Sequence, residues 1–113
     1  MKYNKVLVTG GSGLLGTALK QVSPSWKFIS SKDVDLKNFA ETVSYFKDFR
    51  PDAVIHLAGK VGGLGSNMNN LGSFFYENVT INVNVLEASR LSGATKVMSI
   101  MSTCVYPDEV SYP

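Results

Sequence analysis

Residues 5–16, KVLVTGGSGLLG, leave this chain few architectures to fold into. A β-branched apolar run ends in glycine, and glycines then stand at positions 10, 13 and 16. The run reads as a buried strand. Leu15, Ala18, Leu19 and Val22 follow at helical spacing, and Pro24 ends that helix. The first glycine permits a tight turn, the second lets the backbone approach a pyrophosphate, and the third allows close helix–strand packing. The helix start adds free N–H groups and the positive end of its dipole. A glycine triplet alone is equally an ordinary turn. The strand before it and the helix after it are the context that dinucleotide binding requires. Gly10, Ser12, Gly13, Leu14, Leu15 and Gly16 are therefore the candidate pyrophosphate contacts.

The alternation continues. WKFIS (26–30) is a second strand, and Leu36, Phe39, Val43 and Phe46 step along a helix closed by Pro51. AVIHLAG (53–59) is a third strand, followed by a glycine- and asparagine-rich loop, KVGGLGSNMNNLG (60–72). Phe75, Val79, Val83 and Leu86 mark a longer helix ending near Gly93, and KVMSIM (96–101) is a fourth strand. The order βαβαβαβ predicts an α/β fold, a Rossmann-type doubly wound parallel sheet of four strands and three helices. The strand order expected is 3-2-1-4, with ligand at the carboxyl ends near the switch between strands 1 and 4.

Composition narrows the partners. The 113 residues suit one modest core, and 44% apolar content excludes a disordered chain. The net charge is +2 with scattered cations, which calls for neither nucleic acid nor a membrane surface. A single cysteine, no span-length apolar run and no signal-peptide pattern predict a cytoplasmic setting. No metal-ligand cluster is present in the sequence.

An NAD-preferring site carries Asp or Glu at the end of strand 2. Here that place holds Ser30, then Ser31 and Lys32, so NADP is the expected cofactor; Lys32 is otherwise a solvated surface lysine. Asp35, beside Leu36, has two open roles: bonding the adenine amine, or capping helix 2. His56 reads as packing within strand 3. Asn78, Asn82 and Asn84 are unusual in a helix, and some of them read as ties from helix to loop. Cys104 is either a small buried hydrophobe or a proton-transfer group, and Ser102 either satisfies a loose backbone group or takes part in chemistry.

The TGGSGLLG loop, DVDL after strand 2, HLAG in strand 3 and ENVTINVNVLEAS (77–89) together resemble the extended short-chain dehydrogenases/reductases. KVGGLGSNMNN and STCVYPDEVSYP narrow the resemblance to the GDP-L-fucose synthase family, the GDP-4-keto-6-deoxymannose 3,5-epimerase-4-reductases. The resemblance spans essentially the whole chain. It implies NADPH as reductant and a GDP-sugar as substrate. It implies that Ser102 hydrogen-bonds the C4 keto oxygen and that Cys104 is the base-acid of epimerisation. Leu57, Ala58 and Gly59 would line the cofactor, with Lys60 and its loop approaching the nicotinamide end or the sugar. The chemistry is coherent, because the C4 carbonyl acidifies the protons at C3 and C5 and a thiol can exchange one.

The family also uses a Y-x-x-x-K pair and a second acid-base histidine. None of Tyr3, Tyr45, Tyr76, Tyr106 and Tyr112 stands four residues before a lysine, and the one histidine is His56. The expectation is that residues 1–113 form the partial dinucleotide-binding domain of such an enzyme, without its C-terminal substrate domain and inactive alone. Two alternatives remain: another NAD(P)-dependent sugar-nucleotide epimerase or dehydratase, or a non-catalytic dinucleotide-binding module. Strand 4 would then be an apolar sheet edge, and homo-oligomers through KVMSIM or uncovered helix faces are expected.

Overall fold

The structure is a computed structural model that describes residues 2–62, 68–109 and 111. Among the described residues, strands and helices alternate in the order β1 (Val6–Thr9), α1 (Leu14–Val22), β2 (Lys27–Ile29), α2 (Phe39–Phe49), β3 (Ala53–His56), α3 (Leu71–Ser92) and β4 (Lys96–Ser99). All strand pairs are parallel. Residues 63–67 of the loop after β3, and 110, 112 and 113 of the segment after β4, lie outside the described residues.

The strand order is β2-β1-β3-β4, not the expected 3-2-1-4. β2 is three residues long with an exposed Lys27, which suits an edge and not an interior strand. β3 carries Ala53, Val54 and Ile55 and takes the interior place beside β1, in register from Val6↔Ala53 to Thr9↔His56. Asp52 fixes that register. Its carboxylate accepts the Asn4 and Lys5 backbone N–H groups at 3.0 Å each, and its own N–H reaches Lys5 O at 2.8 Å. The chain thus reverses direction between β2 and β3, and the switch lies between β1 and β3.

Right-handed crossovers then send α1 to one face and α2 and α3 to the other, and the two cores fall accordingly. Leu7, Ile29, Val54 and Phe46 gather with Val85 and Ala88 of α3 under the helix pair. Val6, Val8 and Ala53 form the smaller cluster on the α1 side, where Leu19 and Phe28 lean on it. Helix ends follow local chemistry. Asn38 caps α2, its side chain accepting the Glu41 N–H at 3.1 Å while its amide reaches the Glu41 carboxylate. Asp35 is therefore not that cap; its carboxylate accepts the Lys37 N–H at 3.0 Å in the turn before the helix. Arg50 and Gly93 close α2 and α3 at positive φ.

The apolar stripe that announces α3 faces outward: Phe75 is 72% exposed, and Val79, Val83 and Leu86 are exposed too. The inward face carries Ile81, Asn84, Val85, Ala88 and Ser89. Small side chains let the helix lie close on the sheet, and Asn84 has a bonding task there. Most of α1 is likewise open: among its residues only Gly16 is buried. β4 is an edge, with Met98 50% exposed.

Candidate functional site: a glycine-walled cleft at the strand reversal

A cleft of about 470 Å³ opens at the carboxyl ends of β1 and β3. Its floor is the turn after β1. Gly10 has φ +72°, a conformation that favours glycine, and a Cβ there would meet Ala58 N and Leu57 C at 2.8 Å. Gly16 lies so close under the turn that a Cβ would strike the Gly10 and Gly11 backbone. The Gly13 N–H closes the turn onto Gly10 O at 3.0 Å. α1 starts at Gly13 with no side-chain cap, so its first-turn N–H groups face the cleft without a competing acceptor. That combination of close backbone and uncapped helix start fits a pyrophosphate.

One wall is the exit of β2. Ser30, Ser31, Val34, Asp35, Leu36 and Lys37 line it. Lys32 does not line it, so the cation beside the cleft on this side is Lys37. The nearby carboxylate of Asp33 is turned into its own loop, where it accepts from Ser30 N at 2.8 Å and Ser30 Oγ at 3.2 Å. Asp33 itself does not line the cleft.

The other wall is the exit of β3, Leu57, Ala58 and Gly59, continued by Lys60 and Val61. α3 holds this wall. The Asn78 amide accepts the Lys60 N–H at 2.7 Å and donates to Lys60 O at 3.0 Å. Asn82 meets His56 Nε2 at 2.8 Å. Asn84, nearly buried, donates to Leu36 O at 2.9 Å and Lys37 O at 3.1 Å on the opposite wall. Burial pushes the His56 imidazole below its ordinary pKa, opposed by the bond to Asn82. Glu77 lines the cleft between two lysines, at 2.7 Å from Lys60 Nζ and 3.9 Å from Lys37 Nζ. The hydrogen bond from Lys60 holds its carboxyl below the usual range, and attraction to both cations adds to that.

Twelve of the thirteen residues singled out for the cofactor line this cleft; Lys32 is the exception. Ser102 and Cys104 do not line it. They sit beyond β4, and β3 stands between β4 and the switch. Ser102 Oγ accepts the Cys104 N–H at 3.2 Å in a short 3-10 turn, and Cys104 is exposed. Sequence reasoning missed Lys37 and Glu77. Glu77 lies four residues before Ile81 on the cleft-facing side of α3, a spacing hidden by the stronger outward apolar stripe. Among the described residues no helix is long and apolar enough to cross a membrane, and no cluster could hold a metal.

A parallel sheet that reverses over a glycine cradle and an uncapped helix start defines the class of dinucleotide-binding α/β proteins. Within it, the chain belongs to the NAD dependent epimerase/dehydratase family, which it matches over residues 6–113. It is 51% identical over 116 residues to a probable GDP-L-fucose synthase of Drosophila melanogaster, covering 96% of this chain and 36% of the fly protein. A GDP-L-fucose synthase of Dictyostelium discoideum is 47% identical over 115 residues, with the same coverage of both chains. The crystal structure of a GDP-L-fucose synthetase from Naegleria fowleri bound to NADP superposes with a TM-score of 0.82 at 42% identity, over 100% of this chain and 36% of that one. The chain thus spans little more than a third of the length of these relatives.

Proposed function

We propose that this chain binds NADP(H) in the cleft between β1 and β3 and forms the cofactor-binding portion of an epimerase-reductase acting on a GDP-4-keto-6-deoxy sugar, yielding GDP-L-fucose. The observation that carries the reading is the cradle itself. Gly10 and Gly16 admit no side chain, and the uncapped start of α1 faces the space they leave. Ser31 and Lys37 at the β2-side wall, where Asp33 does not line the cleft, favour a 2′-phosphate over a bare ribose. When bound, the nicotinamide supplies a hydride to the sugar carbonyl. The residues after β4 face that chemistry in this reading: Ser102 donates to the C4 oxygen, and the exposed thiol of Cys104 exchanges a proton beside it. These 113 residues alone bind cofactor without turnover, because no tyrosine precedes a lysine by four positions.

Calorimetry with NADPH and NADH tests the reading. Binding that favours NADPH supports it. Binding of neither, by a chain shown to be folded, removes it. The reading also carries self-association of a second copy through the β4 edge or the exposed face of α3, supported by the exposure of Met98, Phe75 and Val83. Light scattering that finds monomer alone at high concentration counts against that part.

A further inference from the structure

Thr9 and His56 are the last residues of β1 and β3, paired across the sheet at the switch itself. Both are buried; His56 is 3% exposed. Thr9 Oγ1 is 2.7 Å from His56 Nδ1. The same oxygen accepts the N–H groups of Leu57 and Ala58, at 3.2 Å each. A hydroxyl oxygen has two acceptor sites and one proton. The Leu57 N–H is shared with the Thr9 carbonyl oxygen at 3.3 Å, yet both amides still point at the hydroxyl oxygen, and its own proton has His56 Nδ1 as its acceptor, so the contact to Nδ1 uses the hydroxyl proton. Nδ1 is then the acceptor, the ring proton sits on Nε2, and it is donated to Asn82 Oδ1 at 2.8 Å. Turning the Asn82 amide over does not offer an alternative. It would require a proton on Nδ1, facing a Thr9 oxygen that already accepts two amide N–H groups, and would leave the hydroxyl proton without its acceptor.

The oxygen of Thr9 therefore holds one wall of the cleft while its own backbone begins the floor. Leu57 and Ala58 hang from its side chain, and the next residue, Gly10, opens the glycine turn. Floor and wall touch there, since a Cβ on Gly10 would lie 2.8 Å from Ala58 N. Asn78, one turn before Asn82 on α3, grips Lys60 at the far end of the same wall. Residues 57–59 are fixed at both ends by one helix face.

We propose that His56 is a positioning residue for the cofactor cleft: held as the neutral Nε2–H tautomer between Thr9 and Asn82, it sets the spacing between the glycine turn and the Leu57–Gly59 wall. It does this without lining the cleft. The consequence for cofactor affinity rests on the NADP(H) reading above, whereas the tautomer and the held amides do not.

His56 is the sole histidine, so its ring nitrogens give unambiguous long-range ¹H–¹⁵N correlations. The expected spectrum at pH 7 has a protonated Nε2 and an unprotonated Nδ1, with slow exchange of the Leu57 and Ala58 amides. His56→Phe and Thr9→Val should each speed exchange of the Ala58 amide at least tenfold relative to the β1 amides, while the Leu57 amide keeps its bond to the Thr9 carbonyl, and should weaken NADPH binding about tenfold. Thr9→Ser keeps the hydroxyl and His56→Asn keeps an acceptor toward Thr9; both should stay within about threefold of the parent. A ring protonated on Nδ1 or on both nitrogens overturns the proposal, and that measurement needs no variant to fold. So does a folded Thr9→Val or His56→Phe whose Ala58 amide exchanges as in the parent. If the parent binds no NADPH, the cofactor reading fails, and ring protonation and amide exchange still decide the positioning role.

Discussion

Gly16→Ala sets local propensity against tertiary packing. Gly16 is the third residue of α1, and alanine in a helix is favoured over glycine by about 1 kcal/mol. On propensity alone the substitution stabilises. The structure opposes this. A Cβ on Gly16 would lie 2.7 Å from Gly11 Cα and 2.8 Å from Gly11 C, with the Gly10 carbonyl oxygen closer still. All three are backbone atoms of the glycine turn, which cannot rotate away as a side-chain end can. Relief requires α1 to lift from the turn or the turn to shift, and overpacking of this kind costs about 1–3 kcal/mol. The Gly13 N–H bond to Gly10 O is strained by either movement, which adds about 1 kcal/mol. The net expectation is a loss of about 2 kcal/mol. With a urea slope of about 1–3 kcal/mol/M, the unfolding midpoint falls by roughly 1 M. Gly72→Ala is the matched control, because it lies in α3 with nothing within 4 Å of a Cβ, and should hold or raise the midpoint. A Gly16→Ala midpoint equal to or above the parent's would refute the packing argument.

Three further outcomes follow from the same geometry. Burial holds the His56 pKa below the ordinary imidazole value of 6.5, so below that pH the unfolded chain binds a proton that the folded one does not. Stability should therefore fall as pH drops through 6.5, by up to about 1.4 kcal/mol per pH unit, and urea midpoints of a folded His56→Asn variant should lack that slope. Phe46, fully buried under α2, should cost about 3–5 kcal/mol on Phe46→Ala, read as a fall in thermal midpoint. Asn84→Ala strips the partner from Leu36 O and Lys37 O; a loss of about 1–3 kcal/mol is expected, with weaker NADPH binding in calorimetry as the β2-side wall loosens.

The elements of this fold were written locally and could be read. The glycine turn, the stops at Pro24 and Pro51 and the Gly93 cap each depend on a few neighbouring residues. Asn78, Asn82 and Asn84 were legible as ties because asparagine in a helix interior needs a reason, and each has a partner outside the helix. Strand order was not legible. It is decided by which strand β3 pairs with, and that depends on Asp52 meeting residues 4 and 5 and on β2 being short and edge-like. Periodicity found the apolar stripe of α3 but could not say which side meets the sheet, because small and polar side chains made the inner contact. Asp35 looked like a cap from its place before the helix, yet Asn38 starts α2 three residues later.

The three asparagines of α3 make the helix a ruler with an angular scale. A helix turns about 100° per residue, so inserting one residue between Asn78 and Asn82 would leave the first at Lys60 while swinging the second and Asn84 away from His56 and Leu36. An ordinary amphipathic helix tolerates such a phase error by re-packing its oily side. Here the error would be read out as lost amide bonds on both walls of the cleft, so α3 should accept changes of residue type on its outer side far more readily than any change of length.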